Sequence, residues 1–361
     1  MVIAIATIKT ATMNYNKKMK ALCGSIYMIS KYINIYMGIK NLNKFIVNEC
    51  PSSIKKISLS ELSGKKIVVD ISIYIFKYAM DGGLMDNMYI LCSLFKNYNI
   101  IPVFIFDGKS PNEKKKLLEQ RREDRNKLKR EYEELKTLLQ SDTNSENETF
   151  NIRNDLDVLN KKLVVIKKED FENVKKLIIA FGFMYFDAEG EADELCAYLC
   201  LKGIVWGCLS EDMDMFVYGC QNIVRCLNLL NTSAVVYDNT KILNDLRLTQ
   251  KELREICVLS GTDYNTETEH QSINLFNTLK LFKKYKKKCP KLDKTVDFYE
   301  WLLLNNTDYI KDYDLLVRIN NMFSLKDQSQ LKSFEKCTIR NGAVNENDLK
   351  LLLMRQGFIF P

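Results

Sequence analysis

Histidine is almost missing: His270 is the only one in 361 residues. A lone His in a polar, loop-like stretch excludes His-rich zinc sites and nucleases built on paired histidines. Cysteine occurs eleven times, an odd number, and never as a CxxC pair. Cys196, Cys200, Cys208 and Cys257 lie in apolar runs and read as buried thiols. Neither a zinc ribbon nor a disulfide framework is expected, which points to a reducing compartment. No run of 18 uninterrupted apolar residues occurs, so no membrane span is expected. The first 36 residues hold no acid and no Arg, only Lys9, Lys17, Lys18, Lys20 and Lys31 as charges. Without an apolar core and cleavage site they do not read as a signal peptide. They form an N-terminal extension of unassigned role, either loosely transit-like or a dispensable start upstream of Met37. Any hydrolytic chemistry in such a chain rests on carboxylates and bound metal.

What is present is an ordinary globular composition, 46% hydrophobic and 27% charged, with 53 Lys and Arg against 46 Asp and Glu. The formal charge of +7 suits a polyanionic partner without demanding one. Short apolar runs beside turn signals predict buried strands at Lys66–Asp70, Val103–Asp107 and Ile204–Ser210, and a weaker one at Phe183–Phe186. Helical patterns lie between them, at Ile71–Ala79, Met88–Tyr98, Phe171–Phe181 and Glu191–Leu201. Strands alternating with helices predict an α/β fold with a largely parallel central sheet flanked by helices. From Pro111 to about Thr137 the pattern becomes a long charged helix with a narrow stripe of Leu128, Tyr132, Leu135 and Leu139. A loop is expected over Ser141–Thr149, then helix toward Lys162, so residues of about 109–165 form an insertion. Thr249 and Glu252 form a capping-box pattern, and the chain beyond them reads as mainly helical.

The acids fall where that fold would gather them. Two predicted strands end in Asp70 and Asp107, and a third is followed by Glu211-Asp212-Met213-Asp214. Functional groups in parallel α/β sheets collect beyond the carboxyl ends of the strands. Asp212 and Asp214 are two apart, so an extended backbone would aim both the same way. Singly, each Asp could cap a helix or begin a turn. As a set they would repel one another and raise each other's pKa, a penalty that a multivalent cation removes. Hard oxygen ligands without His or Cys select Mg²⁺ or Mn²⁺.

Six blocks carry a resemblance. Met37-Gly38-Ile39-Lys40-Asn41-Leu42, IVVDIS around Asp70, VFIFDGKSP around Asp107, GEADELCAYL with Glu191 and Asp193, SEDMDMFVYG with Asp212 and Asp214, and LSGTDYN with Asp263 follow in order over about 37–285. The chain resembles the flap endonucleases and the wider XPG-type structure-specific 5′ nucleases. The resemblance implies a PIN-like sheet with a helical arch over about 109–165. It implies a nuclease core over 37–264 and a helical C-terminal region over 265–361 that serves duplex DNA binding. Asp70, Asp107, Glu191, Asp193, Asp212, Asp214 and Asp263 are then direct or water-mediated ligands of two Mg²⁺ ions, which Mn²⁺ replaces. Asp193 stands where the family more often has Glu. Lys114 and Arg121, seven residues apart on one helical face, match positions that approach the scissile phosphate.

The activity implied is two-metal hydrolysis of DNA at a 5′ flap, junction or free 5′ end, leaving 5′-phosphate and 3′-hydroxyl, in replication, repair or recombination. Alternatives are a catalytically silent nucleic-acid-binding protein and an RNA-directed 5′ nuclease on the same core. Gly38 is expected near DNA, and Lys283, Lys284 and Lys286 at duplex phosphates, although a basic run is equally a solvated face. Relatives follow the block of Asp263 with a Gly-Ile-Gly hairpin, whereas Asn265 through Gln271 stand here, and Gly83 lies near where relatives place an Arg. No sliding-clamp peptide is evident. A monomer is expected, in the nucleus (a host nucleus for a viral source), with cytoplasm and mitochondrion as alternatives.

Overall fold

A computed structural model describes residues 39–140, 145–265, 273–288, 296–305, 309–325 and 329–358. Its centre is a seven-stranded sheet in the order β1-β7-β6-β5-β2-β3-β4. The strands are β1 Ile54–Ser58, β2 Lys66–Asp70, β3 Ile101–Phe106, β4 Met184–Asp187, β5 Gly207–Leu209, β6 Asn222–Asn228 and β7 Ser233–Asp238. The run β6-β5-β2-β3-β4 is parallel, and β7 and β1 extend it antiparallel. The largely parallel sheet expected from the sequence is therefore present.

Both faces are covered, which is why the strands read as unbroken apolar runs. Val68, Val103 and Ile105 face one apolar layer, and Ile67, Val69, Phe104 and Phe106 the other. Helices α1 Leu42–Glu49, α7 Ala192–Leu201, α8 Asp214–Tyr218, α9 Asn239–Leu246 and α10 Gln250–Ser260 lie on the first side. They are joined there by α11 Leu275–Lys288, α12 Phe298–Asn305 and α13 Tyr313–Ser324. On the second side are α2 Ile71–Met80, α3 Leu84–Asn97, α6 Lys168–Ala180 and the returning α14 Glu346–Arg355. Each fully buried Leu, Ile or Phe in these layers contributes about 1.5–3 kcal/mol relative to exposure.

The insertion is a pair of helices, α4 Lys115–Leu139 and α5 Glu146–Lys162. Leu128, Tyr132, Leu135 and Leu139 are half-buried on α4, as are Thr149, Ile152 and Leu156 on α5, so the narrow stripe is the seam between them. Arg125 fastens the base, donating from its guanidinium to the carbonyls of Leu163 and Val164 at 2.8 and 3.1 Å.

Three expectations change. The loop after α4 is shorter than 141–149, because Ser145 and Glu148 form a capping box that starts α5 at Glu146. Predicted Ile204–Ser210 is a strand only over Gly207–Leu209, since Gly203 (φ 65°) makes a turn after α7. β1, β6 and β7 were not expected at all. β1 is an edge strand with exposed Lys55 and Lys56, a pattern that blunts further pairing and hides the strand from a hydrophobicity reading.

Candidate active site

Topology brings the acids together before any side chain is considered. β2 lies between β5 and β3, and all three point the same way. Asp70 ends β2, Asp107 follows β3 and Ser210–Asp214 follows β5, so the three acid-bearing chain ends are neighbours. Asp70 occupies the N-cap of α2 without making a side-chain cap. Its Oδ2 instead accepts from Ser210 Oγ at 3.1 Å. Asp107 turns to α7, where its Oδ1 accepts the Ala192 N–H at 2.9 Å. Gly108 makes that turn possible, because a Cβ there would stand 2.0 Å from the Ala188 carbonyl oxygen. Glu191 is the N-cap of α7 and Asp193 lies in its first turn, at the positive end of the helix dipole.

Asp212 and Asp214 share the site, but not through extended backbone. Met213 is helical (φ −76°, ψ −14°), and Asp212 Oδ1 accepts the Asp214 N–H at 2.8 Å. Contrary to expectation, a turn into α8, not an extended strand, aims both acids. Asp263 sits in the turn after α10. Asn265 holds that turn, its Oδ1 accepting from the Thr262 N–H and hydroxyl at 2.7 Å each and its amide donating to the Val258 carbonyl at 2.8 Å. Asn265 thus anchors the Asp263 turn in a chain that lacks the hairpin glycines. His270 and Gly38 lie outside the described residues.

The acids act on one another. Burial, then Asp107 and Asp212, push the Asp70 carboxyl well up from the usual range. Burial, then Asp212 and Asp70, do the same to Asp193, and burial, Asp212 and Asp263 to Asp214. Asp212 and Asp263 are raised too, chiefly by burial. Within this cluster, Asp193 Oδ1 and Asp214 Oδ1 are buried without a hydrogen-bond partner.

Lys114 and Arg121 reach this cluster from the base of the arch. Lys114 Nζ is 2.8 Å from Glu191 Oε1 and 4.8 Å above the Tyr264 ring. Burial opposes its charge, but Asp193, Glu191 and Asp214 prevail and raise its pKa. Arg121 is half exposed and 3.2 Å from Asp263 Oδ2. Tyr264, which the sequence did not single out, donates its hydroxyl to Glu191 Oε2 at 2.6 Å. The three outlying lysines are not part of the cluster. Lys283 and Lys284 are exposed on α11, while Lys286 is paired with Glu252 of α10.

Divalent cations fit the chemistry of this donor set, which is all hard oxygen, crowded with like charge and left with unsatisfied inward oxygens. The donors are not closed into a chelate, however: among the described residues no three His, Cys, Asp or Glu side chains already form a metal-holding group. Glu191 and Asp263 face Lys114 and Arg121 instead. A pH dependence follows. Carboxyls with raised folded-state pKa contribute stability that is complete below about pH 4 and lost as pH rises through the raised values. Saturating Mg²⁺ is therefore expected to raise Tm more at pH 7.5 than at pH 5.5, as read by calorimetry. Equal shifts at the two pH values would contradict an ion seated among these acids.

Family comparison fits the same blocks. The XPG N-terminal domain matches residues 37–128 and the XPG I-region residues 182–263. A probable RAD2-like endonuclease of Invertebrate iridescent virus 6 is 30% identical over 280 residues, spanning 63% of this chain and 67% of that protein. The chain belongs to the XPG family. Flap endonuclease 1 of Cryptosporidium muris is 28% identical over 324 residues, with 82% of this chain and 66% of that protein covered. Flap endonuclease 1 of Danio rerio is 30% identical over 246 residues, with 63% and 62% covered. The chain thus spans less than two thirds of the length of these two flap endonucleases. Among solved structures, the catalytic core of Rad2 in complex with DNA substrate has the same fold. Its TM-score is 0.59 at 20% identity, covering 89% of this chain and 96% of that one. Human GEN1 in complex with Holliday junction DNA aligns with a TM-score of 0.56 at 18% identity, covering 89% and 74%.

The two XPG blocks hold the whole cluster: Asp70 and Asp107, with the cations Lys114 and Arg121, fall in the first, and Glu191, Asp193, Asp212, Asp214 and Asp263 in the second. Between them lies most of the arch. No helix among the described residues is long and apolar enough to cross a membrane.

Proposed function

We propose that this XPG-family protein is a divalent-metal-dependent nuclease that hydrolyses DNA phosphodiesters at 5′ flaps, junctions or free 5′ ends. The observation that carries this reading is the convergence of seven acids from separate chain segments beside Lys114, with Asp193 Oδ1 and Asp214 Oδ1 buried and unsatisfied. Asp70, Asp107, Glu191, Asp193, Asp212, Asp214 and Asp263 would hold two Mg²⁺ ions, and Mn²⁺ would serve in their place. Such ions supply a water acidified into a nucleophile and positive charge opposite the phosphate.

The chain's own residues supply orientation and further charge. Lys114 and Arg121 now pair with Glu191 and Asp263. An arriving phosphate would replace those carboxylates as their anionic partner, with charge-assisted hydrogen bonds of similar kind. That exchange would free the carboxylates of Glu191 and Asp263 to serve as ligands and would leave two positive groups on the phosphate, where charge develops. Water oxygen bonds to phosphorus, the bond from phosphorus to the 3′ oxygen breaks, and a 5′-phosphate and a 3′-hydroxyl result. Lys283 and Lys284, exposed on α11, would neutralise phosphates of a flanking duplex.

The test is a labelled 5′-flap duplex offered to chelator-treated protein. Cleavage should stop with chelator and return with Mg²⁺ or Mn²⁺. Cutting that persists without metal would overturn the reading. So would no turnover on flap, junction or free-end DNA with either ion. Cleavage of a matched RNA flap alone would redirect it to RNA.

A further inference from the structure

One acid of the Ser210–Asp214 turn faces away from the others. Glu211 is buried, and its Oε1 accepts the Cys226 N–H at 2.8 Å and the Tyr74 hydroxyl at 3.4 Å. Its Oε2 lies 3.8 Å from Arg225 Nε. Arg225 heads the fully buried side chains by volume, with 1% of its surface exposed. Its guanidinium donates to the Glu211 carbonyl oxygen at 2.8 Å and to Asn43 Oδ1 at 2.9 Å. The Tyr237 hydroxyl donates to the same Asn43 oxygen at 3.0 Å, and the Tyr237 ring lies 5.6 Å from the guanidinium carbon.

The backbone bends to make these contacts. β6 loses register with β7 between Arg225 and Asn228, and Cys226 has φ 53°, left-handed without being glycine. Bulges recur beside functional sites, where they re-aim a side chain, and a strained residue persists only where its surroundings hold it. Here the irregularity directs the Cys226 N–H at Glu211. A buried ion pair adds little net stability, because desolvation offsets its attraction. Stability is therefore a poor account of a network that combines a buried pair with a strained bulge.

We propose that Arg225 and Glu211 are positioning residues for Asp212, fixing the orientation of the acid turn and tying it to α1. Arg225 holds the carbonyl of the peptide that joins Glu211 to Asp212, so that peptide has one orientation. Asp212 leaves it facing the other acids, with its own N–H donated to Ser210 Oγ at 3.1 Å. Glu211 has Arg225 as its counter-charge and is turned from the cluster. Asn43 brings α1 into the same set of bonds, so displacement of the segment around Asn43 would be felt at the acids.

The inference rests on the metal-dependent reading above, and its test separates the two. Mn²⁺ binding to chelator-treated protein is measured by calorimetry for wild type, Glu211→Gln and Arg225→Lys, with Tm recorded beside it and kcat and KM on a 5′-flap duplex. Residues that orient metal ligands from behind typically change affinity or activity by roughly 10–100-fold. A Mn²⁺ affinity loss of that size is expected, with kcat falling alongside it and KM for DNA nearly constant. Wild type that binds no Mn²⁺ defeats the functional reading itself. Wild type that binds Mn²⁺ while both variants bind equally well, with native kcat, defeats this inference, even if Tm has dropped. Should either charge variant fail to fold, Asn43→Ala removes the shared acceptor without altering a charge. It should still weaken Mn²⁺ binding, and unchanged binding there would also defeat the inference.

Discussion

Asp212→Asn should lower the cleavage rate by roughly a thousandfold while DNA binding stays nearly unchanged, a loss of about 4 kcal/mol of transition-state stabilisation. Asparagine is the informative replacement because Asp212 Oδ1 already accepts the Asp214 N–H. The amide oxygen can keep that bond, so the turn survives and only the charge is removed. The same change should make the metal-free protein more stable. Asp212 heads the carboxylates that push up Asp193 and Asp214, so neutralising it relieves repulsion in both directions. A gain of about 1 kcal/mol would raise Tm by about 1–2 °C in a chain of 361 residues. Opposite signs for activity and metal-free stability identify a charge kept for cation binding. A variant that still cuts at near the native rate, or that melts well below wild type, would remove Asp212 from the site.

Lys114→Met should reduce kcat by roughly 10²–10³-fold, the usual scale for losing one aligned donor to developing charge. KM for DNA should move little, since the buried Lys114 is not a general docking contact. The sign of the stability effect is the reverse of that for Asp212. Lys114 is the partner of Glu191 and offsets Asp193 and Asp214, so without it those acids face one another unrelieved. Removing one member of a buried pair typically costs about 3–5 kcal/mol, and Mg²⁺ should recover part of that loss. Arg121→Met is the built-in comparison. With its side chain half exposed to solvent, it should affect metal-free stability far less than Lys114. Steady-state kinetics and thermal melts with and without Mg²⁺ read both variants. Equal stability losses for the two would show that burial does not separate their roles.

Much of this was legible without coordinates. Strands at Lys66–Asp70 and beside Asp107 announce themselves because residues buried on both faces must be apolar throughout. A carboxylate at the end of such a run has few bland explanations once several occur together. The α4 stripe likewise marked a helix with one narrow seam. The order of the acid blocks then placed Asp70, Asp107, Glu191, Asp193, Asp212, Asp214 and Asp263 in one family pattern.

Other features were out of reach because they depend on what a residue meets. β6 became part of the sheet through pairing with β5, and β7 through pairing with β6 and β1, which local pattern does not encode. The sequence showed Glu211 as one more acid in SEDMD. Only packing against Arg225, Tyr74 and the Cys226 N–H turns it from the cluster. Tyr264 gained its role from a distant contact, with Glu191, in the same way, whereas Asn265 gained its role from the closing of its own turn. Sequence by itself determined which charges this protein carries and at which strand ends and helix starts they fall, since periodicity and motif order are properties of the chain. The tertiary structure alone decided which of those charges face each other, which are neutralised by Lys114, Arg121 or Arg225, and which oxygens are left unsatisfied. Electrostatic energy depends on separation and burial, and both come into being only when the chain is packed.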